Sequence, residues 1–271
     1  MKYILRNKGY LLTFVIISIL ATPLVASITV VSNLSHSEIT QIGSSYSGTI
    51  DVANAGDRNE RVQLTQNDYL YTADGNNYFN NPGTDPRSNA PWVTLLQDDI
   101  IIAPGKIAKI PFTVQIPPNS SLIGTYWSIV FVQSITDSLL NPDKPDDGTI
   151  GVQMNLRYGV QLISHIGETG NKMIEIGNIE KSDKDGVKSI SFDSINIGER
   201  SISTAIYAQV YSNEGKYLGR YEGKRKGTLP GCSINTSIDF PTLENGKYRM
   251  QIIADGGGNN VFGILVAPEF T

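Results

Sequence analysis

The sequence predicts an all-β chain of two tandem β-sandwich domains behind an N-terminal export signal. Three observations predict it. Apolar and polar residues alternate with a period of two in segment after segment, which suits strands with one face on a core. Turn-forming pairs such as Asp74-Gly75, Pro104-Gly105 and Asn245-Gly246 separate those segments. A pair of sequence marks then occurs twice in the same order, which indicates duplication of one structural unit.

The N-terminus comes first. Lys2, Arg6 and Lys8 precede an apolar core from Tyr10 to Leu20, and small residues ending at Ala26 or Ser27 offer a cleavage site. Residues 1–27 therefore read as a signal peptide, the apolar run being nearly long enough to be an uncleaved anchor instead. No later segment reads as a membrane span, so the mature protein is expected in the periplasm or outside the cell. Hydrophobic residues make up 40% of the chain and charged ones 18%, enough to bury a core. A formal charge of -4 opposes binding to nucleic acid or to anionic lipid.

Strands are expected at Thr49 to Ala53, Ile107 to Ile116 and Tyr126 to Val132. Further ones are expected at Val187 to Ile197, Thr204 to Tyr211 and Tyr248 to Ala254. The segment from Ile50 to Arg58 is echoed by Phe192 to Arg200: each is a strand ending in Asn, then a turn of Gly, acid and Arg. Gly124-Thr125-Tyr126 is echoed by Gly246-Lys247-Tyr248. A Tyr just after such a turn resembles the tyrosine corner of immunoglobulin-like sandwiches. The two domains are set at residues 28–165 and 166–271. Between their marks, Ile135 to Gly148 is rich in Asp and Pro and reads as a loop. Then comes a long alternating run, Thr149 to His165, with Val152, Met154, Leu156, Tyr158, Val160 and Leu162 on one face.

In organisation the chain resembles the two-domain periplasmic chaperones of pilus assembly. The resemblance lies in the strand ending at Asn54, the Gly124-Thr125-Tyr126 opening, the loop after it and the long run behind the loop. It implies that the long strand presents an edge to which a pilus subunit adds a strand. It also implies two basic anchors for the subunit's terminal carboxylate. Spacing puts Glu38 and Gln161 at those positions, one repelling a carboxylate and the other binding it weakly. Arg157 is a nearby cation that substitutes for them or is simply an exposed strand residue.

Chemistry is sparse. His36 and His165 lie in no metal or nucleophile motif, and no nucleophile elbow or phosphate loop is present. Asp255 to Asn260 reads as a turn with too few carboxylates for calcium. Lys224-Arg225-Lys226 reads as a hairpin tip, and Cys232, the single cysteine, as a small residue packed inside a sandwich. Trp92 reads as a core plug. Tyr126 and Trp127 are neighbours in one strand, so one of them must lie outside the first core.

The reading is a non-enzymatic protein without cofactor or metal, a chaperone-like binder of an exported pilus-type subunit or surface protein. The contacts are placed at Val152, Met154, Leu156 and Val160, with Arg157 and Gln161 beside them. The alternative is a structural or adhesive surface protein whose sandwiches are spacers, against which the absence of an anchor near Phe270-Thr271 counts.

Overall fold

The structure, a computed structural model, describes residues 27–135 and 156–271. The signal segment, the acidic loop and the contacts placed at Val152 and Met154 lie outside the described residues. The described chain is built of β-strands in two sandwiches, with one short 3₁₀ turn at Ala90–Trp92.

The first sandwich has two sheets. One runs β1 (Ile28–Val30), β3 (Ser45–Asn54), β8 (Ile107–Gln115) and β6 (Val93–Leu95) in spatial order. The other runs β2 (Ser35–Thr40), β10 (Arg157–Ile166), β9 (Gly124–Ile135), β4 (Glu60–Tyr71) and β5 (Asn77–Asn80), with β7 (Asp99–Ile102) on the outer part of β4. Alternation fixes the faces. Ile50, Val52, Ile110, Phe112 and Val114 from the first sheet meet Val62, Leu64, Val130, Val132, Val160 and Leu162 from the second. Gly48 makes room for Phe112, whose ring would lie 2.5 Å from any Cβ placed there. Each such fully buried side chain stabilises the fold by roughly 1.5–3 kcal/mol.

The second sandwich repeats the scheme. Its smaller sheet is β11 (Ile174–Lys184), β12 (Val187–Asn196) and β16 (Ser233–Phe240). Opposite it stand β14 (Tyr217–Glu222), β13 (Ile202–Ser212), β17 (Gly246–Asp255) and β18 (Val261–Val266). Two short strands, β15 (Lys226–Thr228) and β19 (Glu269–Phe270), pair with β13 and β17. Ile190, Phe192, Ile238 and Phe240 pack against Ile206, Val210, Met250 and Ile252. The Tyr248 hydroxyl donates to the Glu244 carbonyl at 2.8 Å, a tyrosine corner as expected. Tyr126 differs: its ring packs on Trp92 at 4.8 Å inside the first sandwich, and Trp92 is the plug beneath it. Trp127 faces the other way, as alternation requires, and is buried outside that core.

Trp127 belongs to a third cluster, with Leu229 and Cys232, that joins the sandwiches. Cys232 is thus packed at the junction rather than inside a sandwich. Burial pushes its thiol pKa up to about 11. Hydrogen bonds cross the same junction. The Leu229 N–H donates to the Tyr71 hydroxyl (3.0 Å), the Ala73 N–H to Ser233 Oγ (2.9 Å) and the Thr125 N–H to the Glu199 carbonyl (2.9 Å). Gly124 has φ +76°, and a Cβ there would sit 2.0 Å from the Glu199 carbonyl oxygen. Only glycine permits the backbones to approach that closely.

Candidate functional site: an open strand edge beside the cleft

β10 is the strand on which the site is built. On one side it pairs with β9 along its whole length, Arg157 opposite Gln133 through Ile166 opposite Gly124. On the other side β2 pairs with it in parallel, but only from Gln161 to Ile166. The Gln161 N–H donates to the Leu34 carbonyl at 2.9 Å, so this residue points its backbone groups away from β9. Backbone polarity alternates along a strand, so Arg157 and Gly159 also point theirs outward. Among the described residues no strand pairs with that stretch. Among the described residues, four residues of a central strand are therefore left as an edge.

The side chains follow the same parity. Even-numbered Val160 and Leu162 are fully buried in the first core. Val160 is therefore not an apolar contact on the surface, because its side chain has no exposed area to offer. Leu156 is 43% exposed just before the strand begins. Odd-numbered Arg157, Gly159, Gln161, Ile163 and His165 share the opposite face, which turns toward the second sandwich.

At the open end this face is aromatic. A Cβ on Gly159 would meet Ile129 Cδ1 at 2.5 Å and Phe131 at 3.4 Å, so these two side chains lean over the glycine toward the edge. The Arg157 guanidinium lies 3.8 Å from the centre of the Phe131 ring and 5.6 Å from that of Phe79. Phe79 in turn stands edge-on to Phe131 at 4.9 Å and stacks on Tyr69 at 5.4 Å. Such contacts hold a guanidinium flat while leaving its N–H edge available.

At the other end lies a cleft of about 640 Å³ between the sandwiches. It is lined by Ser37, Tyr71, Gln161, Ile163 and His165 on one side and by Lys226, Thr228 and Leu229 on the other. His165 accepts or donates through both nitrogens, Nε2 with Ser37 Oγ and Nδ1 with Thr125 Oγ1, each at 2.9 Å. Thr125 Oγ1 also accepts the Ser201 N–H at 3.0 Å, which ties the imidazole to the second sandwich. Burial lowers the His165 pKa, and Arg200 adds to that effect.

Glu38 pairs with Ser164, not with a cleft residue, and the β2 side chain in the cleft is Ser37. A shift of one residue in a strand reverses the face, so Ser37 and Glu38 lie on opposite faces of β2. Gln161 does line the cleft. Lys226, expected in a hairpin tip, sits in β15 and supplies a cation to it. The Asp255 to Asn260 stretch is a closed turn: the Gly256 N–H donates to the Asn260 carbonyl and the Gly257 N–H to Asp255 Oδ1, both at 2.8 Å. Among the described residues no three His, Cys, Asp or Glu side chains are grouped as metal ligands, and no helix is long and apolar enough to cross a membrane.

No protein-family model matches the chain. No curated protein matches it either. Solved structures do. The chain is similar to a structure of a chaperone–tip adhesin complex of CFA/I fimbriae, at 14% identity and a TM-score of 0.48, over 91% of this chain and 100% of that one. It is similar to the class 5 fimbriae chaperone CfaA at 14% identity and a TM-score of 0.44, over 89% and 99% of the two chains. The E. coli chaperone DraB is similar at 16% identity and a TM-score of 0.40, over 88% and 97%.

Proposed function

We propose that this chain is an exported, chaperone-like protein that holds a pilus-type or other secreted partner by adding one of the partner's strands to β10. The observation that carries the reading is the half-covered edge of that strand. Its outward backbone groups at Arg157 and Gly159 have no strand beside them among the described residues, although the strand is otherwise central in its sheet. An unpaired edge flanked by an aromatic shelf and a polar cleft is a surface for an extended segment. Main-chain hydrogen bonds supply affinity there, while side chains on alternate positions supply selectivity.

The cleft lies in line with the same face, through Gln161 and Ile163. It receives the end of the bound segment, with Lys226 as the cation facing it. Leu156 is the exposed apolar side chain at the border of the described residues.

Backbone hydrogen exchange tests the reading. Exported proteins that co-purify from the native envelope are added to the isotopically labelled chain. Exchange at the Arg157 and Gly159 amides should slow, while Tyr158 and Val160, already directed at β9, should change little. Protection that appears only elsewhere, or no co-purifying partner at all, would sink strand addition and favour two spacer sandwiches.

A further inference from the structure

We propose that His165 is an acid-sensitive latch between the sandwiches, holding Thr125 to Ser201 when neutral and releasing that tie when protonated. The latch is independent of what binds β10. Its geometry fixes where the protons sit. His165 Nδ1 lies 2.9 Å from Thr125 Oγ1, and Nε2 lies 2.9 Å from Ser37 Oγ. Thr125 Oγ1 already accepts the Ser201 N–H at 3.0 Å. Thr125 is fully buried, whereas Ser37 is exposed. A hydroxyl has one proton to give, and among the described residues that of Thr125 has no acceptor but Nδ1. It therefore donates to Nδ1, and the neutral ring carries its own proton on Nε2, toward Ser37.

Protonation places a second N–H on Nδ1. Thr125 Oγ1 must then accept from the ring and from Ser201 together, and its own proton is left without a partner in a site closed to water. A buried donor without an acceptor is costly. The new charge is also poorly placed. Arg200 and Lys172 oppose it, while Glu168, which favours it, is engaged with Arg200 at 3.0 Å. Beside the ring, β2 brings Ser37 and Ile39 and β9 brings Thr125, none of them charged, and Lys226 lines the opposite wall of the cleft. Relief comes from parting Thr125 and Ser201, which admits water to the hydroxyl. His165 and Ser201 line the cleft from opposite sandwiches, so the parting widens it at this corner. The other corner is held by the Leu229 N–H on the Tyr71 hydroxyl, with no histidine in the bond.

Amide exchange on the full chain, followed by NMR and corrected for the intrinsic pH dependence of exchange, tests the latch. Between about pH 7.5 and 5, where histidine titrates, the protection of the Ser201 amide should fall about tenfold, the size of one buried hydrogen bond lost. The amides of Leu229, at the other corner, and Val130, in the first core, should hold their protection. The fall should follow the midpoint of the His165 ring protons in the same spectra and persist in His36→Gln. In His165→Gln, whose amide oxygen accepts from Thr125 at any of these pH values, it should vanish. Constant Ser201 protection overturns the latch, as does a fall that Leu229 and Val130 share, since that is general unfolding. A fall that follows the His36 midpoint, or one that survives His165→Gln, overturns it as well.

Discussion

Asn54 and Asn196 occupy the same place in the two sandwiches, each at the last residue of a strand and each making the same three hydrogen bonds. Asn54 Nδ2 donates to the carbonyls of Arg58 and Ile102 at 2.7 and 2.8 Å, and its Oδ1 accepts the Gly56 N–H at 2.9 Å. Asn196 donates to Arg200 and Thr228, both at 2.9 Å, and accepts from Gly198 at 2.9 Å. Both side chains are almost fully buried. Each closes the turn behind its strand and pins that turn to a second strand.

Replacing either one with Ala should therefore be costly. Two carbonyls and one amide lose their partner inside the protein, at about 1–3 kcal/mol for each group left unsatisfied. Some relaxation will recover part of that, so a loss of about 3 kcal/mol is expected in urea unfolding. Asn→Asp should cost a comparable amount, because it keeps the acceptor and loses both donors. A loss below about 1 kcal/mol in both variants would show that these bonds do not hold the turns.

The repeated Asn was legible because it recurs inside a repeated phrase, and so were the strands, whose period of two survives in β3, β8, β12 and β17. The site was harder to read. Which part of β10 is covered depends on a parallel pairing with β2 that spans more than a hundred residues and leaves no local trace. Parity decided one expectation: Val160 was assigned to the surface by its apolar character, and its side chain points into the first core. Lys226 looked like the tip of a basic turn because a three-residue strand carries no periodic signal. Cys232 lies between two sandwiches, and nothing in a single cysteine reveals which surfaces enclose it.

Gly124→Ala should loosen the junction and spare the sandwiches. The new Cβ falls on the Glu199 carbonyl, and the residue sits at φ +76°, which costs any residue but glycine about 1 kcal/mol or more. No side chain of either core is touched. Small-angle scattering should show a larger radius of gyration, and limited proteolysis should cut faster near Gly167 to Asn171. Circular dichroism should change little. An unchanged scattering profile would mean that the bonds at Tyr71 and Ser233 hold the junction by themselves.

Stability should fall as pH drops below about 6.5, the ordinary value for histidine. Burial lowers the pKa of both His36 and His165, so at mildly acidic pH the unfolded chain binds protons that the folded chain refuses. The stabilisation is complete above the unfolded pKa and is lost as pH falls from there toward the lowered folded value. For His165 the surrounding charges are Arg200 and Lys172, which lower the pKa further, and Glu168, which raises it. Urea midpoints between pH 7.5 and 5 should decline, and the decline should be shallower in His165→Gln. Parallel curves for the two proteins would remove His165 from the effect.

Cys232 reports on the same junction from within. Its thiol is fully buried, and burial holds its pKa at about 11, so very little reactive thiolate is present at neutral pH. Alkylation should be slow in the folded protein and should proceed through opening of the contact among Trp127, Leu229 and Cys232. Two routes then compete. If the sandwiches separate without unfolding, Gly124→Ala should speed labelling severalfold while its urea midpoint stays close to that of the parent. If access requires unfolding of a sandwich, labelling should track stability, and Asn196→Ala should speed it more than Gly124→Ala. The junction cluster holds fewer buried residues than either core, which favours the first route, because fewer buried groups must be exposed to open it. Iodoacetamide labelling of the parent and the two variants, followed by mass spectrometry, separates the routes by the order of the three rates.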